Sequence, residues 1–292
     1  MKKENSELDQ RKQALQKLMN EKNKDLGGNF LKWGIDEQPP ERISFGIPSL
    51  DKLTGGGIPY KRFSVIWGSK GVGKSTLACN LIANAQKQGK LCAYIDLERS
   101  LEGSRAESFG VNMKDLVYGG FDNAEQALDT LISMCKTKTI DVIVLDSVQA
   151  LSPKGEQETK KGKEKSLEDD TMALLARKLS QFFRMSSAGV YNSNVAVILI
   201  GQARMNLGGF IAFESLSGGH AIQHWATMTL QLRRGQKSDS PTMKVKENGE
   251  TQEVILGFDG VIKLEKTKIS SEVEGSSIHL PFLFKEGFIE KK

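Results

Sequence analysis

The run Gly68-Ser69-Lys70-Gly71-Val72-Gly73-Lys74-Ser75 carries the plainest chemistry in this chain. It fits G-x-x-x-x-G-K-[ST] at every fixed position. The glycines let successive backbone N–H groups turn inward around phosphates. Lys74 brings a cation to the β and γ phosphates, and Ser75 offers a hydroxyl to Mg2+. Thr76 follows directly and is counted with them as nucleotide-binding. The chemistry is capture of ATP with its magnesium ion. A chance glycine-rich turn is the bland alternative, but the run follows an apolar strand and opens a helix, as the motif requires. A second carboxylate must hold the metal's water shell. Asp146 closes the apolar run Ile143-Val144-Leu145, where such an aspartate would sit. Hydrolysis also needs a group that polarises water. Glu98, just past Ala93–Leu97, is the expected general base. Asp96 lies inside that run and reads as a structural hydrogen-bonding group.

These groups need a scaffold, and the chain alternates strand and helix where they occur. Phe63–Trp67, Leu91–Leu97, Ile140–Leu145 and Val195–Ile200 read as strands, and 74–88, 122–136 and 168–187 as helices. The nearly all-apolar strands suit a sheet buried on both faces. This rhythm predicts a mainly parallel central sheet flanked by helices. After residue 226 the texture changes. Met228–Leu232 alternates apolar and polar, and Asn248-Gly249 signals a hairpin turn, so antiparallel C-terminal strands are expected to extend the same sheet. At the other end, residues 5–24 read as an amphipathic helix with Leu8, Leu15, Leu18 and Met19 on one face, ended by Gly27 and Gly28. Asn29–Gly34, with Phe30, Leu31 and Trp33, reads as a short strand before a linker containing Pro39 and Pro40. Residues 1–36 are therefore expected to form a helix-and-strand docking unit, and 37–292 the catalytic core.

Composition bounds the rest. The net charge of +5 permits a polyanionic partner without requiring one. Cys79, Cys92 and Cys135 are odd in number and not at metal-ligand spacing, which fits packed thiols in a reducing, intracellular setting. No signal peptide and no membrane-spanning apolar run is present, so a soluble, cytoplasmic protein with no membrane partner is expected, in a bacterial cell or a phage-infected host.

From Ile43 to Ile289 the sequence resembles the RecA family of DNA recombinases. ISFGIPSLDKLTGGG at Ile43–Gly57, Ala93–Glu98 and DVIVLDSVQALSP at Asp141–Pro153 carry the likeness beyond the phosphate loop. The resemblance implies an α/β RecA-like ATPase core and further site residues. Gln202 matches the glutamine that senses the γ-phosphate and orders a DNA-binding loop. Lys266 and Lys268 resemble a lysine pair that reaches the neighbouring protomer's ATP, and their strand spacing would put both on one face. Glu102 and Arg105 stand near the adenine where the family has an acid and a tyrosine, and Arg105 is expected to stack on the base. Phe284 completes the nucleotide set. Gln223-His224-Trp225 departs from the family's Lys-Phe-Tyr.

Two loops are implied to bind DNA. The first, about 154–170, is Lys/Glu-rich and expected to be mobile. Beside it Arg177, Ser180 and Arg184 fall at i, i+3 and i+7 of a helix, one face suited to phosphate oxygens. The second spans about 204–220, with Arg204, Met205, Phe210, Gly218, Gly219 and His220 as contacts and the base-touching residue open between Phe210, Ile211 and Phe213. The function implied is an ATP-dependent recombinase that forms a helical homo-oligomer on single-stranded DNA and exchanges strands with homologous duplex DNA. A ring-forming helicase on the same fold would place an arginine finger where this chain has lysines. A non-catalytic paralogue that assists a true recombinase would not be expected to keep Lys74, Ser75, Glu98, Asp146 and Gln202 together. The separate C-terminal domain of cellular members is expected to be absent, as in a compact phage-encoded recombinase.

Overall fold

The computed structural model describes residues 2–36, 38–152, 172–206, 213–216, 220–247, 250–269 and 273–291. The first DNA loop expected at 154–170 lies outside them, as do Phe210, Ile211, Gly218 and Gly219. The chain divides into two units, Met1–Pro40 and Glu41–Lys292.

In the first unit, helix α1 spans Lys2–Leu26. Leu8, Leu15 and Leu18 are each nearly half exposed along it. Gly27 takes φ +67°, the left-handed turn that stops the helix. The strand expected at 29–34 does not form. A strand needs another backbone to pair with, and here Asn23 takes that role. Its Oδ1 accepts from Phe30 N at 2.9 Å and Leu31 N at 2.8 Å, and its Nδ2 donates to Leu31 O at 2.8 Å. Trp33 Nε1 donates to Gln16 Oε1 at 2.5 Å, so the segment doubles back along α1.

The second unit contains β1 (Arg42–Ile43), α2 (Pro48–Thr54), β2 (Ile58–Pro59), β3 (Arg62–Gly68), α3 (Lys74–Lys87), β4 (Cys92–Asp96), α4 (Gly103–Ser108), β5 (Leu116–Gly119), α5 (Ala124–Thr137), β6 (Val142–Asp146), α6 (Met172–Ser193), β7 (Ala196–Asn206), β8 (Phe213–Leu216), α7 (His220–Trp225), β9 (Met228–Arg234), β10 (Thr242–Glu247), β11 (Glu250–Ile255), β12 (Gly257–Thr267), β13 (Ser277–Leu283) and β14 (Gly287–Phe288). The main sheet runs β14-β13-β12-β9-β3-β7-β6-β4-β5. From β9 to β5 every neighbour is parallel, and β12, β13 and β14 add antiparallel strands at one edge.

Both faces of the inner strands β3, β4 and β6 and of the first half of β7 are buried, which is why these read as nearly unbroken apolar runs. On β3, Ile66 packs with Leu77, Leu81 and Ile82 of α3, whereas Phe63, Val65 and Trp67 pack with α5, α6 and α7. Phe63 meets Phe183 edge-on, with ring centroids 5.1 Å apart, and Phe183 stacks on Trp225. Burial pushes the Cys79 and Cys92 thiols up to about 12 and Cys135 to about 11, so all three stay neutral packing groups. Among the described residues no helix is long and apolar enough to cross a membrane.

Two expectations of the C-terminal half change. β10 and β11 do pair antiparallel across the Asn248-Gly249 position, but as a separate two-stranded sheet rather than an extension of the main one. Of the loop expected at 204–220, the described residues are in regular structure. β7 runs on through Asn206 and pairs antiparallel with β8, from Ala203↔Leu216 to Asn206↔Phe213, and α7 begins at His220. Ladder pairing satisfies the backbone groups that an open loop would leave to water.

Candidate nucleotide site

The candidate site sits at the C-terminal ends of four adjacent parallel strands, the edge where open α/β sheets hold ligands. β3 delivers the glycine loop, β7 delivers Gln202 opposite Gly68, β6 ends at Asp146 opposite Asp96, and Glu98 follows β4. Together they line a cavity of about 540 Å3 that includes Lys70, Gly71, Gly73, Lys74, Ser75, Thr76, Glu98, Glu102, Arg105, Asp146, Gln202 and Phe284.

The glycine loop could carry few other residues. Gly73 has φ +89°, and a Cβ there would lie 2.8 Å from a Phe282 ring carbon and 2.9 Å from one of Phe288. The aromatic wall of β13 and β14 thus presses the loop into its curve. Lys74 is buried and donates to Ser69 O at 2.8 Å. Burial lowers its pKa, and the nearby Asp146, Glu98 and Glu214 carboxylates oppose that. Ser75 Oγ and Tyr94 OH each donate to Asp146 Oδ2 at 2.6 Å. Burial raises the Asp146 carboxyl, and these hydroxyls pull it back in part. Among the described residues no cluster of three His, Cys, Asp or Glu side chains could cage a metal alone. A hydroxyl and one carboxylate fit Mg2+, which keeps waters and takes its other ligands from phosphates.

Glu98 Oε1 accepts from Gln202 Nε2 at 2.6 Å and from the Ser147 hydroxyl. Gln202 N in turn donates to Gln149 Oε1 at 2.7 Å. Asp96, the rival base, is fully buried, and its Oδ2 accepts from Leu101 N and Tyr118 OH. It braces the turn beneath the cavity.

Lys266 and Lys268 lie outside this cavity. Both reach the end of α7, Lys266 to Gln223 O and Lys268 to His224 O at 2.7 Å. They do share a face, although β12 ends at Thr267 and Lys268 lies just past it. Arg177 and Arg184, the arginines of the face expected to bind phosphates, are exposed on α6. Ser180 departs from that expectation: its hydroxyl proton goes to Ala176 O at 2.8 Å within the helix and is not offered outward. Arg204 is exposed on β7, while Met205 and His220 are placed only by their backbones, in β7 and α7.

Several cavity residues escaped the sequence reading. Arg234 donates to Gly71 O at 2.9 Å and lies over the Phe258 ring at 4.5 Å. Phe258 stacks on Phe282 at 4.4 Å, and Phe284 completes that aromatic wall. The spacing of Phe282, on β13, and Phe284, just past its end, was the available signal; Phe258 comes from the neighbouring strand, which only the register reveals. Glu214 of β8 also arrives unannounced and accepts from Ser69 Oγ at 2.8 Å.

Arg105 lines the cavity with its guanidinium 5.6 Å above the Phe109 ring. An Arg105→Ala variant is expected to bind ATP roughly two- to fivefold more weakly, the size of an exposed cation–π contact, with hydrolysis intact at saturating ATP. Equilibrium titration with a fluorescent ATP analogue checks this, and unchanged affinity removes Arg105 from the base site.

Comparison with known proteins agrees with this geometry. The RecA N-terminal domain family model matches residues 13–288. Protein RecA of Marinobacter nauticus is 34% identical over 302 aligned positions, covering 97% of this chain and 82% of that protein. Protein RecA of Leptospira meyeri is 39% identical over 233 positions, covering 78% of this chain and 59% of that one.

Proposed function

Because this chain belongs to the RecA family of DNA recombinases, we propose that it polymerises on single-stranded DNA, binds ATP and Mg2+ between protomers, and uses hydrolysis to turn over filaments that exchange strands with a homologous duplex. The observation that carries the reading is the meeting of Lys74, Ser75, Glu98, Asp146 and Gln202 in one cavity at one sheet edge. Lys74 and the loop N–H groups hold the phosphates. Ser75 and Asp146 hold Mg2+, which when bound neutralises charge on the phosphate oxygens. Two donors already occupy Glu98 Oε1, so Oε2 is the oxygen that takes the proton of the attacking water. Gln202 touches Glu98 and stands at the root of the β7–β8 hairpin, which makes it the element that ties nucleotide state to DNA affinity. Lys266 and Lys268, outside their own cavity, serve the neighbour's ATP, and the apolar stripe of α1 docks between protomers.

The test is ATP turnover with and without single-stranded DNA, followed by strand exchange. DNA-stimulated hydrolysis with strand exchange supports the reading. Unwinding of a forked duplex supports the ring helicase instead, and turnover indifferent to DNA overturns the DNA assignment. Replacing Arg177 and Arg184 together with Ala is expected to weaken DNA binding uniformly across sequences. It should also flatten the slope of log affinity against log salt by about 1 to 2. An unchanged slope takes α6 out of the DNA path.

A further inference from the structure

Strand β12 does not run straight into the lysines. Its pairing with β9 is regular from Gly260↔Arg234 to Leu264↔Leu230 and then slips. Lys266 pairs with Thr229 and Thr267 with Met228, which leaves Glu265 as an extra residue. Side chains alternate faces along a strand, so one extra residue turns over everything that follows it. Leu264 is buried in the core on the α3 face. In an unbroken ladder Lys266 and Lys268 would follow Leu264 onto that face. Instead both reach carbonyls at the end of α7, beside Ile222 and Trp225, which pack in the core on the opposite face.

The extra residue supplies its own fastening. Glu265 Oε2 accepts from Trp67 Nε1 at 2.7 Å. Trp67 is buried in that same opposite-face core and is the residue before Gly68 of the phosphate loop. A buried indole N–H needs an acceptor, and a charged one is the stronger choice. Thr267, which returns to the regular alternation, is tied separately, its N–H donating to Glu274 Oε2 at 3.0 Å.

We infer that the Trp67–Glu265 hydrogen bond is the catch that fixes the one-residue bulge of β12, and so aims Lys266 and Lys268 at the face from which they serve the neighbouring protomer's ATP. The inference rests on the assignment of those lysines to the neighbour's nucleotide. Glu265 and Trp67 are positioning residues and touch neither substrate nor metal.

The experiment exploits action across protomers. Glu265→Ala is expected to lose roughly tenfold or more in DNA-stimulated turnover, the effect of one hydrogen bond to a charged group. Its affinity for a fluorescent ATP analogue should stay within about twofold, because its own cavity is intact. Glu265→Gln keeps an acceptor oxygen and should keep turnover. Trp67→Phe should match Glu265→Ala, and the double variant should be no worse than either single one. Mixed filaments with Lys74→Ala protomers, which supply correct lysines but cannot hold ATP, should restore turnover at the Glu265→Ala protomer's site. The Lys266→Ala/Lys268→Ala variant runs beside it in the same mixtures. If that lysine variant is rescued and Glu265→Ala is not, the bulge acts otherwise than through the lysines and the inference falls alone. Wild-type turnover by Glu265→Ala also overturns it. Wild-type turnover by the lysine variant, or rescue of neither, overturns the assignment across protomers and the inference with it.

Discussion

Glu98→Gln is expected to cut DNA-stimulated ATP hydrolysis by about 10^2- to 10^4-fold, the usual contribution of a positioned general base. ATP affinity should remain within about twofold, because that substitution alters no group assigned to the phosphates or Mg2+. The change is narrow for a structural reason. Glu98 Oε1 already accepts from Gln202 and the Ser147 hydroxyl, and the amide oxygen of glutamine can keep both bonds. What disappears is the second carboxylate oxygen as a proton acceptor. With hydrolysis blocked and binding kept, ATP-loaded filaments on single-stranded DNA should dissociate more slowly. Steady-state turnover, nucleotide titration and filament dissociation measured on one preparation separate these effects. Retention of more than about a tenth of wild-type turnover would mean that the water is activated elsewhere. Asp96 is a poor substitute, because its carboxylate is fully buried and already holds Leu101 N and Tyr118 OH.

The chemistry of this site was legible where one local stretch of chain imposes it. The glycine loop, Asp146 at a strand end and Glu98 past the next strand each follow from a short pattern, and the parallel sheet brings them into one cavity. What escaped depends on partners distant in sequence. Tyr94 reads as one more apolar strand residue until β4 and β6 pair in register and its hydroxyl meets Asp146. Arg234 reaches the loop only because β9 lies parallel to β3, and Phe258 joins it only because β12 lies antiparallel to β9. The N-terminal strand failed for the opposite reason: Phe30, Leu31 and Trp33 have strand-like composition, but the described chain gives them side-chain partners on α1 and no ladder. The lysine spacing predicted a shared face correctly, yet which face it is was decided by the extra residue Glu265, which alternation counted from Leu264 would have assigned wrongly.

The second large effect trades function against stability at one residue. Asp146 is buried, and burial raises its carboxyl above the ordinary range, while the Ser75 and Tyr94 hydroxyls offset only part. Lys74 donates to Ser69 O rather than to this carboxylate. A carboxyl whose pKa is higher in the folded state binds its proton more tightly there than in the unfolded chain. Stability therefore falls as pH rises from the unfolded value through the raised folded one, and above that range the whole cost of the buried charge is present. Asp146→Asn removes that charge and keeps an oxygen for both hydroxyls. The metal-free variant is expected to melt higher than wild type at neutral pH, by about 1.5–2 °C for each kcal/mol recovered. That gain should shrink as pH is lowered toward the range where Asp146 takes up its proton. The same change removes the one carboxylate assigned to Mg2+, so hydrolysis should fall by roughly 10^2-fold or more, with a higher Mg2+ requirement for what remains. Thermal melts at acid and neutral pH without metal, set beside a Mg2+ titration of turnover, read both arms. A lower melting temperature at neutral pH would show that neighbouring cations favour the charge by more than burial opposes it, and the carboxylate would then be part of the fold's support rather than a cost borne for the site.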